Sequence, residues 1–259
     1  MEWSSVVSMA LAGTAAGAIN AIAGGGSLVT FPTLLALGYP PVVANVTNTV
    51  AALPGYIGGA WGYRRELSGL RRRIFTLSAV TVLGALLGSA LLLLGNERTF
   101  TAVVPWLVLA STLLLAVQPY LTRLMERGND RGTEPAPRQK PLRWAGLGQF
   151  GVAVYGGYFN AGLGIMMLGV LGLVLHEPLQ RLNALKSVLS VVASTVSLVY
   201  FAIFATVSWP AAAVMAVTGL LGGWFGAAIG RRLPVPLLRW SVVTFGLIVF
   251  LVLMENHAS

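Results

Sequence analysis

The scarcity of charged side chains is the feature that most restricts what this chain can fold into. Only 10% of its 259 residues are charged and 56% are apolar, whereas a typical soluble domain has about 25% charged residues. The mean hydropathy is +0.78. Because so few polar side chains cannot cover a surface in contact with water, the sequence predicts an all-α integral membrane protein that crosses the bilayer repeatedly.

Long apolar stretches identify the expected crossings. Two of them, 4–38 and 144–176, are too long for one crossing, short for two full ones, and interrupted by glycines. Six others have the roughly 20 mostly apolar residues that a single spanning helix needs. These six are 42–62, 74–95, 99–121, 183–207, 211–230 and 240–255.

The basic residues predict which loops face the cytoplasm. Most of the 17 Lys and Arg residues lie in loops 63–73, 122–143 and 231–239, and an excess of positive charge is typical of cytoplasmic loops. If these loops lie inside, stretches 4–38 and 144–176 must each return to the side from which they started. Each is therefore predicted to be a glycine-broken hairpin of two short helices, which gives about ten short or full crossings. We expect a multi-pass protein of a bacterial inner membrane with both termini in the periplasm.

The two halves of the chain match each other around their glycine runs. Residues 17–50 can be laid over 155–188 without gaps, which aligns the two runs and places Asn45 on Asn183. The opposite directions of the two halves then predict inverted-topology repeats. Such repeats with interrupted helices are typical of secondary transporters that work by alternating access around a site near the membrane midplane. The expected organisation is a first repeat, a basic cytoplasmic linker and a second repeat at 1–121, 122–143 and 144–259.

Two stretches also resemble the paired signatures of the sulfite exporter family TauE/SafE, the TSUP permeases. GAINAIAGGGSLVTFPTLLALGYPPVVANVTNT is similar to the first-half signature, in which a glycine-rich run precedes a Pro-Leu segment, a turn and a polar helix start. GVAVYGGYFNAGLGIMMLGVLGLVLHEPLQRLNALKS is similar to the second-half signature. The sequence departs from the pattern where Asn160 replaces a frequent glycine and where Ser27 follows only three glycines.

The resemblance covers essentially the whole chain and implies a function. It implies transport of small sulfur-containing or carboxylate anions, such as sulfite or sulfoacetate, coupled to protons. The expected partners are the small anion, protons and the lipid bilayer, and no nucleic acid, cofactor or metal is expected. The substrate itself, the direction of transport and the oligomeric state stay open at this point.

The predicted anion site is built from the starts of the short helices. The first N–H groups of a helix have no intrahelical partner and lie at the positive end of its dipole. Glycine lets a ligand approach these amides without a Cβ in the way. The alternative interpretation is that the glycines only let helices pack closely. The residues assigned to the site in the two glycine runs are Gly24, Gly25, Gly26, Ser27, Asn160, Gly162 and Gly164.

Polar residues early in the next two helices are predicted to complete the site. Their positions are spaced i, i+3, i+4, so they share one helix face. The alternative for the Asn and Thr residues is N-capping. The alternative for the one charged residue placed inside a span, Lys186, is that its side chain extends to the cytoplasmic surface. The residues are Asn45, Asn48, Thr49, Asn183, Lys186 and Ser187.

Other functions fit the sequence less well. A channel or a carboxylate carrier would use similar features. An intramembrane hydrolase with Ser27 as nucleophile lacks the closing glycine of a G-x-S-x-G turn, and only His176 and His257 could serve as its base. His176 and Glu177 are either proton carriers or ordinary loop residues. No enzymatic activity is expected.

Overall fold

The computed structural model describes residues 2–22, 25–129, 142–175, 177–229 and 235–258. Within these ranges every regular element is helical, which confirms the all-α prediction. A short 3-10 helix covers Arg64–Leu67. The α-helices are α1 (Trp3–Ile22), α2 (Ser27–Ala36), α3 (Pro41–Gly62), α4 (Arg71–Leu94), α5 (Glu97–Asn129), α6 (Leu142–Tyr158), α7 (Leu163–Val174), α8 (Leu179–Phe204), α9 (Trp209–Ile229) and α10 (Val235–Ala258).

The length and composition of these helices suit a membrane. In the described part of the chain, the helices long and apolar enough to cross a bilayer are Arg71–Leu94, Glu97–Tyr120 and Leu179–Phe204. Shorter apolar helices are Ser27–Ala36, Leu163–Val174 and Trp209–Gly223. Large apolar side chains such as Phe75 and Leu94 are more than four-fifths exposed. Side chains of this kind are stable when lipid surrounds them, as in a multi-pass membrane protein.

Both long apolar stretches are interrupted at their glycines. α1 ends at Ile22 before α2 starts, and α6 ends at Tyr158 before α7 starts. Gly25 and Gly162 have φ values of 91° and 75°. A side chain with a Cβ rarely adopts this left-handed conformation, so the glycines permit the break.

The start of α8 and the end of α5 differ from the sequence prediction. α3 begins directly after Pro40, and α8 begins directly after Pro178. Asn45 and Asn183 therefore lie inside their helices, so the N-capping interpretation is wrong. α5 continues to Asn129, which is eight residues into the predicted linker.

The long helices pack along one another in pairs. α1 packs along α9, and α4 packs along α6. α3 contacts α8 and α9, α8 contacts α4, and α5 packs on α10. The short helix α2 contacts α1, α3 and α10, while the short helix α7 contacts α5, α6 and α8. The two short helices thus lie among the long ones, and their starts are enclosed by protein.

Glycines bring α4 and α6 into backbone contact. A Cβ built on Gly88 would lie 2.0 Å from the Val154 carbonyl oxygen. We therefore expect Gly88→Ala to lower the thermal unfolding midpoint in detergent, because overpacking a close contact costs about 1–3 kcal/mol. Gly151→Ala, on the facing helix α6, is the matched control because a Cβ there meets nothing within 4 Å. Equal midpoints for the two variants would contradict the close approach.

Candidate functional site

The two breaks lie against one face of α5. A Cβ on Gly25 would be 3.6 Å from the Leu115 side chain, and one on Gly162 would be 3.4 Å from Ser111. Ser111 and Leu115 are four residues apart, so they are neighbours on the same helix face. The fold thus brings together two segments that are separated by more than a hundred residues in sequence.

Side chains of α2 and α3 connect the first break to the second. The Tyr56 hydroxyl of α3 donates a hydrogen bond to Asn160 Oδ1 over 3.4 Å. The Ser27 side chain also interacts with this hydroxyl. Phe31 of α2 packs edge-to-face on Phe159, with ring centroids 5.2 Å apart. Ser27, at the start of α2, and Asn160, just before α7, therefore share one partner.

The starts of α2 and α7 are buried and uncapped. No side chain caps either helix, and the first residues, Ser27 and Leu163, are 4% and 1% exposed. The Gly26 amide is an exception, because it donates to Asn20 Oδ1 at 2.8 Å. Several amides of the first turns are also bonded to backbone, because those of Leu28 and Val29 donate to Gly25 and Gly26 and those of Leu163 and Ile165 donate to Asn160 and Gly162. These two helix starts therefore offer an anion chiefly the positive ends of their dipoles.

Three buried asparagines each leave one polar atom without a partner among the described residues. Asn48 Oδ1 accepts from the Thr30 hydroxyl, which leaves Asn48 Nδ2 unpaired. Asn160 Oδ1 accepts from Tyr56, which leaves Asn160 Nδ2 unpaired. Asn45 Nδ2 donates to the Tyr158 carbonyl at 2.8 Å, which leaves Asn45 Oδ1 unpaired. Unpaired polar atoms are costly inside a protein, and a bound ligand is one way to satisfy them.

Two of the predicted site residues use their hydroxyl hydrogens locally. Thr49 donates to the Asn45 carbonyl at 2.9 Å, and Ser187 donates to the Asn183 carbonyl at 2.8 Å. Hydroxyl groups in helices commonly bond in this way to the residue four positions earlier. In this conformation these two hydroxyls can offer a ligand only their lone pairs.

Lys186 lies beside the start of α7. A Cβ on Gly164 would be 3.5 Å from Lys186 Cδ, and the lysine is half-buried in the second turn of α8. It forms no salt bridge with any residue in the described ranges. The lysine and the N-terminus of α7 therefore contribute positive charge to the same region.

The loop before α8 carries an ion cluster. The Glu177 carboxylate binds Arg73 at the start of α4, and it also binds Arg181 over 3.1 Å. Glu177 is thus an ion-paired loop residue that joins α4 to the start of α8. Gly24, His176 and the side chain of His257 lie outside the described residues.

Several residues of this region were not assigned to the site from the sequence. Besides Thr30 and Tyr56, the Tyr155 hydroxyl donates to the Ala161 carbonyl at 2.6 Å, and the Ser111 hydroxyl of α5 lies 2.7 Å from the Tyr155 hydroxyl. These bonds hold the backbone of the second break against α5. A polar residue three positions from Ser27 was the available signal for Thr30, whereas nothing in the sequence distinguishes Tyr56 or Tyr155.

Comparisons with known proteins agree over nearly the whole chain. A family model described as Sulfite exporter TauE/SafE matches residues 9–253. A probable membrane transporter protein of Haemophilus influenzae is 28% identical over 233 residues, which cover 89% of this chain and 87% of the relative. The probable membrane transporter protein YfcA of Escherichia coli K12 is 28% identical over 224 residues, covering 84% and 76%. A Sinorhizobium relative, the probable membrane transporter protein ORF9, is 27% identical over 218 residues, covering 84% and 78%.

Proposed function

This chain belongs to the TauE/SafE sulfite exporter family, and on that basis we propose that it is a secondary transporter of small anions. The proposed substrates are sulfur-containing oxyanions such as sulfite or sulfoacetate. The observation that carries the proposal is that two buried, uncapped helix starts lie in the same region as buried asparagine side chains with unpaired polar atoms. Small carboxylates have similar acceptor oxygens and serve as comparison ligands.

The groups at the site are those that an oxyanion needs as hydrogen-bond partners and counter-charges. An oxyanion must exchange its hydration shell for hydrogen-bond donors, and Asn48 Nδ2 and Asn160 Nδ2 are two buried donors without partners. The N-termini of α2 and α7 add a partial positive charge. Lys186, whose aliphatic chain lies beside Gly164, adds a positively charged side chain. These groups attract an anion, and none of them is a carboxylate that could bind a cation.

The packing supports an inverted-topology repeat. Exchanging α1–α5 with α6–α10 converts the α1–α9 contact into α6–α4 and the α3–α9 contact into α8–α4, and all four contacts are present. α3 and α8 both begin after a proline, Pro40 and Pro178. Thr49 and Ser187, which the overlay pairs, both bond to the carbonyl four residues earlier. We therefore propose that the two glycine-broken segments are hairpins around which the halves rock in alternating access.

We also propose that both termini lie on the periplasmic side of a bacterial inner membrane. We further propose that proton coupling does not use a buried carboxylate. No Asp or Glu lies in the middle of any described helix. Among the described residues of the site, the ionisable groups are therefore Lys186 and the phenols of Tyr56 and Tyr155, and the substrate itself can also carry a proton.

A binding panel on the purified protein tests the proposal. Sulfite, sulfoacetate and lactate are titrated against the detergent-solubilised protein by calorimetry and by shifts of the thermal unfolding midpoint. We expect saturable binding of at least one sulfur anion and no binding of a size-matched cation such as methylammonium. A protein that binds none of the anions, or binds the cation equally well, contradicts the proposed function.

A further inference from the structure

We propose that the site takes an oxyanion that carries one hydrogen, held by two amide donors and one amide acceptor. This inference rests on the proposed function and specifies its substrate class. The donors are the unpaired NH2 groups of Asn48 and Asn160, and the acceptor is the unpaired carbonyl oxygen of Asn45. All three residues are at most 2% exposed.

The three asparagines belong to one region of the fold. Asn45 and Asn48 are three residues apart on α3, so they lie on the same face of the helix. Asn45 bonds to the carbonyl of Tyr158, which is two residues before Asn160 in the second break. Tyr56, also on α3, bonds to Asn160 directly. One helix thus supplies two of the amides and holds the third.

Each of the three amides is oriented by one neighbouring group. In the structure the hydroxyls of Thr30 and Tyr56 donate to the carbonyl oxygens of Asn48 and Asn160, and the NH2 groups of these two asparagines have no partner among the described residues. At Asn45 the neighbour is a backbone carbonyl, which can only accept. The Asn45 amide must therefore present its NH2 group to Tyr158 and its oxygen to the site. Thr30 and Tyr56 are in this sense positioning residues.

The unpaired atoms select among anions. A fully deprotonated oxyanion has no hydrogen for Asn45 Oδ1, and two facing oxygen acceptors repel each other. An oxyanion with one O–H group donates to Asn45 and accepts from Asn48 and Asn160, so that all three buried atoms are satisfied. Such a substrate also takes a proton from solution across the membrane with it. This route needs no carboxylate, in keeping with the absence of Asp and Glu from the middle of the described helices.

Another buried amide with an unpaired oxygen lies away from the proposed site. Gln149 Oε1 is also buried without a partner, while Gln149 Nε2 donates to Thr81 at 3.0 Å. This pair lies between α4 and α6, on different helices from the three asparagines and their hydroxyl partners. Gln149 therefore provides a control for removing an unpaired amide oxygen without touching the site.

Two anions of nearly equal size test the inference. Hydrogen sulfite and methanesulfinate are both monoanions with an SO2 core, and they differ in an OH against a CH3 group. At mildly acidic pH we expect the unmutated protein to bind hydrogen sulfite at least about tenfold more tightly, because a buried acceptor distinguishes a ligand with a hydroxyl from one without it. Equal affinities for the two anions in the unmutated protein would overturn the inference without requiring any variant.

Two variants test whether Asn45 is the residue that distinguishes hydrogen sulfite from methanesulfinate. In Asn45→Leu we expect the ratio of the two affinities to fall to within about twofold, mainly through weaker hydrogen sulfite binding. In Gln149→Leu we expect the ratio of the unmutated protein. A ratio unchanged in Asn45→Leu would overturn the role of Asn45. If neither anion binds the unmutated protein, the proposed function fails as well, whereas equal binding of both leaves that function standing and removes only the hydrogen-bearing substrate.

Discussion

Replacing Lys186 with methionine is expected to weaken sulfite binding by about 30-fold or more. The substitution keeps an unbranched side chain beside Gly164 but removes the charge. Loss of one partner from a buried charged hydrogen bond costs about 2–5 kcal/mol, and 1.4 kcal/mol corresponds to a factor of ten in affinity. Titration calorimetry on the purified variant measures the effect, and Lys186→Arg is expected to recover part of it.

Arg181 offers the matched control for this change. It lies five residues before Lys186, its side chain is 46% exposed, and it pairs with Glu177 at the start of α8. Arg181→Met removes the same charge from the adjacent surface, and we expect at most a twofold change in affinity because exposed charges interact weakly through solvent. If both variants lost affinity equally, Lys186 would be acting as a surface charge and not as a ligand.

Asn48→Asp is expected to weaken anion binding by about 10- to 100-fold. The aspartate has nearly the same shape as asparagine, but it replaces the unpaired Nδ2 with an oxygen. The site then loses a donor and gains an acceptor that repels the substrate, at a cost of about 1.5–3 kcal/mol. The same calorimetric titration measures the loss.

Asn96→Asp makes the same chemical change far from the proposed site. Asn96 is exposed in the loop before α5, where its Oδ1 accepts from the Arg98 amide at 3.0 Å. We expect its sulfite affinity to equal that of the unmutated protein. Retained affinity in Asn48→Asp would show that Asn48 Nδ2 does not face the substrate.

Helix positions could be predicted well from the sequence because apolar runs and glycine runs are local signals for where a membrane helix lies and where it breaks. The breaks occur at the glycine runs, and the long helices cover the predicted spans. The errors lie at the helix ends. Hydropathy reports the part of a helix that lies in lipid, but α5 continues through the polar segment 122–129, and α8 begins with the polar turn 179–182. Backbone hydrogen bonding does not stop where the bilayer stops.

The site could be predicted in part. The sequence assigns Asn45 and Asn48 to it because they share one helix face, and Asn160 because it lies in the second glycine run. Their partners could not be inferred, since Thr30 and Tyr56 reach them across 18 and 104 residues of sequence. Hydroxyl residues in membrane helices also commonly bond to their own backbone, as Thr49 does. Their presence alone therefore does not indicate a site.

Uptake of labelled sulfite into proteoliposomes tests the central claim most directly, that this chain is a carrier with an anion site between two helix breaks. Purified protein is reconstituted, and initial rates are measured against sulfite concentration with and without a proton gradient, alongside vesicles that contain Lys186→Met. We expect saturable uptake that the proton gradient accelerates and that Lys186→Met reduces strongly. A rate that rises linearly with concentration, ignores the proton gradient and is the same in Lys186→Met would contradict the account.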